Sequence, residues 1–222
     1  MRRHLIFLML LCLAVLPALT SCSNDDNGDG SNEYANWRAR NDAYFADIRA
    51  HAKDTILQAQ NQYGNTWTQH CNWRTFLSYA KDSTVSGKST DSIYVYILRQ
   101  GTGSGCPLST DSCRIFYRGR LIPSETYTEG YVFSHSGQST RYEEIFNLKT
   151  AVPSMLRAST AVKGFGTALQ HMHIGDIWRV YVPYDLGYGS TAQTSIPSYS
   201  TLVFEIQLLS YYHQGATIDT WN

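Results

Sequence analysis

The chain has 222 residues, and its 18 Lys and Arg balance 18 Asp and Glu, so the formal net charge is zero. Apart from Arg2 and Arg3 no basic run stands out, which leaves nucleic-acid binding without an electrostatic footprint. The length suits one domain of ordinary size plus an extension, and 16 tyrosines among many Ser, Thr and Gly lean toward an exported, strand-rich protein.

At the N-terminus, Arg2 and Arg3 precede an apolar run from Leu5 to Leu16 that is short for crossing a bilayer. Small residues then lead to Cys22, and residues 1–21 read as a signal peptide. Leu19-Thr20-Ser21-Cys22 resembles the bacterial lipobox, whose cysteine takes lipid and becomes the mature N-terminus. That resemblance implies a membrane partner reached through a lipid anchor at Cys22; a plain secretory signal with an incidental cysteine is the alternative. Residues 22–32 are polar and acidic, the composition of a flexible tether. The acidic residues behind Cys22 resemble the surface-export signals of Bacteroidetes lipoproteins, and both the cell surface and the periplasmic face of the outer membrane stay open.

Residues 33–85 read as a helical N-terminal extension. Trp37, Tyr44, Phe45, Ile48, Ala52 and Ile56 recur at spacings of three, four and seven, which predicts an amphipathic helix from Glu33 to about Tyr63, stopped by Gly64-Asn65. A second short helix is expected over Trp73 to Ala80. The extension carries no catalytic constellation, so Trp37, Trp67 and Trp73 are expected to pack against the next domain; a helical recognition surface is the sharper alternative. Asp82 to Asp91 is a polar loop and the natural boundary.

From there the period changes to two. Ile93, Val95 and Ile97 alternate with Tyr94, Tyr96 and Leu98, a strand that runs into Gly101-Thr102-Gly103. Ser112 to Leu121 is another, with Cys113, Ile115 and Tyr117 on one face, so the Tyr117 ring should point inward. After a loop from Pro123 to Gly130, Tyr131-Val132-Phe133 returns to the sheet. Phe165, Ala168, Leu169 and Met172 fall at i, i+3, i+4 and i+7, a short helix with Gly175 as candidate left-handed cap. Two more strands follow: Trp178, Val180 and Val182 alternate with Ile177, Arg179 and Tyr181, and Leu202, Phe204, Ile206 and Leu208 with Thr201, Val203, Glu205 and Gln207. Between them lies a loop in which Tyr188 stands between Gly187 and Gly189 and whose end is marked by Ile196-Pro197. Residues 213–222 are a tail.

Beyond Cys12 and Cys22, three cysteines remain. Cys106 with Cys113 would bridge the turn between two strands, or Cys113 is a buried free thiol; both stay open. His171 and His173 are two apart in a helical reading and cannot share a cation, so no metal partner is expected. Neither GxSxG nor HExxH is present, and adjacent Glu143 and Glu144 read as a solvated edge rather than an acid/base pair.

Cys106-Pro107 through Tyr117-Arg118-Gly119, Gly130-Tyr131-Val132-Phe133, Phe146 and nearly all of Val162 to Leu209 resemble the FKBP-type peptidyl-prolyl cis-trans isomerases, most strongly in GDIWRVYVPYDLGYG and IPSYSTLVFEIQLL. The aromatic-rich style, helical N-terminal segment and acidic tether look like lipoprotein members of that family from Bacteroidetes. The resemblance implies an α+β class with an FKBP-like domain over 92–212, an antiparallel sheet of about five strands wrapped around a short helix. Its pocket wall would be Tyr117, Phe133, Phe146, Phe204 and Tyr188, and Phe165 would form the floor. Ala161 and Val162 match the pair entering the helix, where the second backbone N–H meets a substrate carbonyl. Ile196 would overhang the pocket, and the Tyr188 hydroxyl would donate to substrate. The chain departs from the family at Ser134, where a pocket aspartate is usual, at Phe165, where tryptophan is usual, and in extra residues, LKTAVPSMLRAST, between Phe146 and Val162.

The implied activity is cis-trans isomerisation of X-Pro bonds in exported polypeptides, with proline-containing segments as partners, no cofactor and a place in the cell envelope. The alternative implied by Ser134 is a non-catalytic FKBP-like binding module of the envelope.

Overall fold

The computed structural model describes residues 33–81, 88, 90–136, 146 and 152–221, which form one compact unit beginning at Glu33. The signal peptide, Cys22, the tether, most of the 82–91 boundary and Glu143-Glu144 lie outside the described residues. No helix among the described residues is long and apolar enough to cross a membrane.

Helix α1 runs Trp37–Tyr63 and buries Trp37, Asn41, Phe45, Ala52, Ile56 and Ala59, steps of three, four and seven that keep one stripe on the sheet. It ends at Gly64, whose φ of 54° only glycine adopts readily and whose amide still reaches the Gln60 carbonyl. The strands are β1 (Trp73–Leu77), β2 (Ser92–Arg99), β3 (Ser112–Arg120), β4 (Val132–His135), β5 (Ser154–Arg157), β6 (Ile177–Val182) and β7 (Leu202–Tyr212). They form one sheet in the order β1-β2-β6-β7-β3-β4, with β5 also on β3, and all pairings are antiparallel. Helix α2 (Lys163–Leu169) packs on one face.

Several expectations are corrected here. The sheet has seven strands among the described residues, not about five. Trp73–Leu77 is a strand and not a helix: Trp73, Phe76 and Leu77 mimic a helical spacing, but pairing Trp73 with Tyr96 through Leu77 with Ser92 satisfies the backbone and buries Trp73. The extra residues before Val162 supply β5, which pairs with Ser112 to Ile115. Gly175 is left-handed at φ 93°, but helix α2 already ends at Leu169 with Gln170 as its cap. Instead, Gly175 sits in the turn that leads into β6. Cys71, Cys106 and Cys113 are free thiols, and burial pushes the Cys113 thiol up to about 12.

Both faces of the sheet are buried. The inner face carries Ile93, Val95, Ile115, Val180, Val182, Leu202, Phe204, Ile206 and Leu208 against Phe165, Ala168 and Leu169 of α2. The outer face presents Tyr94, Tyr181 and Val203 to Phe45, Ala52 and Ile56 of α1. An exposed antiparallel face would be polar, but here alternate positions are apolar on both sides because α1 covers the second. Each fully buried side chain the size of Phe45 contributes about 1.5 to 3 kcal/mol.

The outer face also holds Glu205, which is fully buried. Its carboxylate accepts from Arg118 Nε at 3.3 Å, from Arg179 Nε at 3.0 Å and from Arg120. The partners come from β3 and β6, the strands on either side of β7, so the ion cluster ties the centre of the sheet across its width. The tail folds back over β3: Arg114 Nη1 donates to Asp219 at 2.8 Å, and Trp221 meets Phe116 edge-on at 5.8 Å.

Candidate active site

Four of the expected aromatic residues meet on the inner face. Phe165 enters from α2, where Gly164 lets the helix approach β6 so closely that a Cβ there would stand 2.4 Å from Val182 Cγ1. The Phe165 ring meets Phe204 of β7 at 4.9 Å and Tyr117 of β3 at 5.9 Å, both edge-to-face at 88°. Phe204 in turn meets Phe133 of β4 at 5.7 Å and 86°. Edge-to-face contacts set a positive ring edge against a negative ring face, so the four rings hold one another's orientation. Phe165 and Phe204 are 3% and 5% exposed, whereas Tyr117 and Phe133 are half-buried. The result is an apolar basin with a closed floor and more open walls.

The contact between Phe133 and Phe204 depends on Gly119, which no sequence motif singled out as part of the site. Gly119 is paired with both Ser134 and Phe204 in the sheet, and a Cβ on it would lie 2.6 Å from Phe133 Cζ and 2.7 Å from Phe204 Cε1. Its signal was its place two residues after Tyr117 in a strand otherwise free of glycine.

Ser134 Oγ lies 2.8 Å from the Tyr117 hydroxyl. Ser136 Oγ accepts from the Tyr117 amide at 2.8 Å and donates to the Tyr117 carbonyl at 3.3 Å. Two serines of one short segment therefore hold both ends of Tyr117. Ser136 was not foreseen, because a serine beyond a strand carries no motif.

The remaining predicted residues are placed less uniformly. Val162 is the N-cap residue of α2, its carbonyl accepting from Gly166, and Ala161 and Val162 pack half-buried against the inner core. Ile196, expected to overhang the pocket, is buried in the core cluster that contains Phe165 and Phe204, and it exchanges backbone bonds with Gln193. Tyr188 is 40% exposed on the loop between β6 and β7. Phe146 does not join the basin. It stacks on Phe116 at 5.7 Å, and Phe116 points from β3 to the side opposite its neighbour Tyr117.

A cavity of about 190 Å³ is bordered by Asn41, Phe45, Arg49, Pro183 and Tyr184, against α1 rather than at the aromatic basin. Among the described residues no three His, Cys, Asp or Glu side chains gather as a metal set. His171 lies stacked between Phe76 at 4.1 Å and Tyr79 at 4.9 Å, and burial lowers its pKa below the ordinary imidazole value.

An antiparallel sheet closed over a short helix, with an aromatic basin between them, defines an α+β domain. The sequence profile of the FKBP-type peptidyl-prolyl cis-trans isomerases matches residues 104–209 of this chain. A macrophage infectivity potentiator from Trypanosoma cruzi is 35% identical over 119 residues, covering 53% of this chain and 52% of the relative. An FKBP-type 22 kDa peptidyl-prolyl cis-trans isomerase from Escherichia coli K12 is 33% identical over 129 residues, 58% of this chain and 52% of the relative. An outer membrane protein MIP from Legionella longbeachae is 34% identical over 115 residues, 51% of this chain and 42% of the relative. The chain thus spans about half the length of the curated relatives it matches.

Proposed function

We propose that the protein is a peptidyl-prolyl cis-trans isomerase of the cell envelope, anchored by lipid at Cys22 and acting on proline-containing segments of exported polypeptides. The observation that carries this reading is the edge-to-face chain of Tyr117, Phe165, Phe204 and Phe133 within the segment that the family profile matches. The envelope location is supported by the N-terminal segment and by the outer membrane relative.

The chemistry requires neither a proton shuttle nor a cofactor. Rotation about X-Pro is opposed by a barrier of about 18 to 20 kcal/mol that arises from amide resonance. The twisted transition state has lost that resonance and is less polar than the planar amide. An aromatic basin that holds the proline ring and withholds water from the carbonyl favours the twisted form. Hydrogen bonds from the Val162 amide and the Tyr188 hydroxyl orient the substrate chain. A ten-thousandfold acceleration needs about 5.5 kcal/mol of such differential stabilisation.

The test is cis-trans relaxation of proline peptides with several residues before the proline, with and without the purified chain. Acceleration is expected; rates equal to buffer for every peptide would sink the reading. A non-catalytic binding module is the second reading, favoured by Ser134, which offers Tyr117 a hydroxyl in place of a carboxylate. If Ser134→Asp raises a weak activity by tenfold or so, about 1.4 kcal/mol of transition-state stabilisation, the natural site is tuned to binding. A robust wild-type activity that Ser134→Asp does not raise favours the isomerase.

A further inference from the structure

The first two turns of α1 do more than cover the outer face. Further along the helix, Phe45, Ala52 and Ile56 meet the sheet through apolar contacts. At its start, three residues instead make directed contacts to one short segment, Tyr199 to Thr201, the end of the loop that carries Tyr188 and Ile196. The Trp37 Nε1–H donates to Ser200 Oγ at 2.8 Å in a buried setting, and Ser200 Oγ donates onward to the Pro197 carbonyl at 2.6 Å. Asn41 is fully buried; its Oδ1 accepts from the Thr201 amide at 2.7 Å, and its Nδ2 donates to the Trp37 carbonyl at 2.7 Å. The Arg38 guanidinium lies 4.3 Å from the centre of the Tyr199 ring.

Tyr199 is where these contacts matter most. Its φ is 59°, a left-handed conformation that a bulky residue keeps only when its surroundings impose it. In that conformation its amide donates to the Gly189 carbonyl at 2.8 Å, which closes the loop at its base beside Tyr188. Whatever holds Tyr199 therefore holds the backbone next to Tyr188, and the Ser200 bond to Pro197 holds the backbone next to Ile196. The same stretch of chain also reaches the loop that leads into β4: Thr126 donates to the Glu33 carboxylate, and Arg40 Nη2 donates to the Pro123 carbonyl at 3.4 Å.

We propose that Trp37, Arg38 and Asn41 are positioning residues for the isomerase site, holding the 187–200 loop in its substrate-binding form. The N-terminal helix is then part of the apparatus that grips substrate and not only a lid on the sheet. This rests on the isomerase reading above. It predicts an effect on binding more than on rotation, because the loop supplies orienting contacts while the twisted amide sits among the four rings.

The test compares full-length wild type with Trp37→Phe, which keeps an aromatic ring and loses the N–H, and with Arg38→Ala, a change at an exposed position. Hydrogen exchange is read at the amides of Gln193, Ile196 and Tyr199, all bonded within the loop, and at the amides pairing β6 with β7. Loop exchange is expected to speed about three- to tenfold in Trp37→Phe, the worth of one net hydrogen bond, with the β6–β7 amides unchanged. In the relaxation assay kcat/KM should fall by a similar factor, through a higher KM with kcat nearly constant. Unchanged loop exchange in both variants overturns the proposal, and so does faster exchange with kcat and KM both unaltered. If the wild-type chain gives no acceleration at all, the isomerase reading fails, while the exchange rates alone still decide whether α1 holds the loop.

Discussion

Adding one methyl group at Gly119 tests the basin without deleting any of its rings. A Cβ there would stand 2.6 Å from Phe133 Cζ and 2.7 Å from Phe204 Cε1, whereas carbon atoms pack at about 3.5 to 4.0 Å. In Gly119→Ala the two rings must therefore separate by roughly 1 Å each, since neither ring can bend. Overpacking of this kind costs about 1 to 3 kcal/mol, so the protein should remain folded. Phe204 also abuts Phe165, and its displacement carries to the floor of the basin. A shift of about 1 Å in groups that position a substrate lowers rates by up to about a hundredfold. Peptide relaxation should show kcat/KM reduced about tenfold to a hundredfold, with urea unfolding followed by tryptophan fluorescence reporting the smaller stability loss. If stability falls as expected while kcat/KM stays within about twofold of wild type, the contact between Phe133 and Phe204 is no part of the catalytic wall.

Other perturbations separate the site from its frame. Tyr188→Phe removes a hydroxyl at an exposed position, so stability should change by less than about 0.5 kcal/mol, while kcat/KM falls about two- to tenfold if that hydroxyl donates to substrate. Glu205→Gln leaves Arg118, Arg120 and Arg179 around a neutral side chain at a fully buried position, and should cost about 3 to 5 kcal/mol in chemical denaturation; a loss below about 1 kcal/mol would mean that the cluster is not a stabilising tie. For His171, burial depresses the folded-state pKa below the ordinary imidazole value of 6.5. The unfolded chain therefore binds a proton first on acidification, and this contribution to stability is complete above 6.5 and is lost as pH falls below it. Denaturation midpoints should decline more steeply from neutral pH toward pH 5 in wild type than in His171→Phe, and parallel declines would remove His171 as their source.

What could be read from the residues alone divides along physical lines. Strands β2, β3, β6 and β7 were legible because alternation survives whatever packs on either face, and α1 because Trp37 to Ile56 repeats over five turns before Gly64 ends it. Strand β1 was not. Its five residues are too few for a period to assert itself, and its strand character comes from pairing with β2 across an intervening loop. Tyr94, Tyr181 and Val203 were legible as one face of their strands but not as a second core, because that depends on where α1 docks. At the site, Tyr117, Phe133, Phe165 and Phe204 followed from the resemblance, and their rings meet edge-to-face on the inner side of the sheet. Phe146 does not join them, and its ring stacks on Phe116 instead. Gly119 and Ser136 act through absent bulk and backbone bonding, properties that residue identity does not advertise.

The order of strands bears on any attempt to isolate the family-matched segment. The family-matched segment, 104–209, begins after β2, yet β2 lies between β1 and β6 in the sheet. Excising that segment would strip β6 of its neighbour and leave a row of unpaired amides and carbonyls along the new margin, a template for joining one molecule to the next. It would also uncover Tyr181, Val203 and the Glu205 cluster, which α1 and its surroundings keep from water. A fragment cut at that limit should precipitate or form ladders of copies, whereas one beginning at Glu33 keeps β2 paired with β6 and α1 on the outer face. The stretch ahead of the family segment is thus a permanent partner supplied in the same chain.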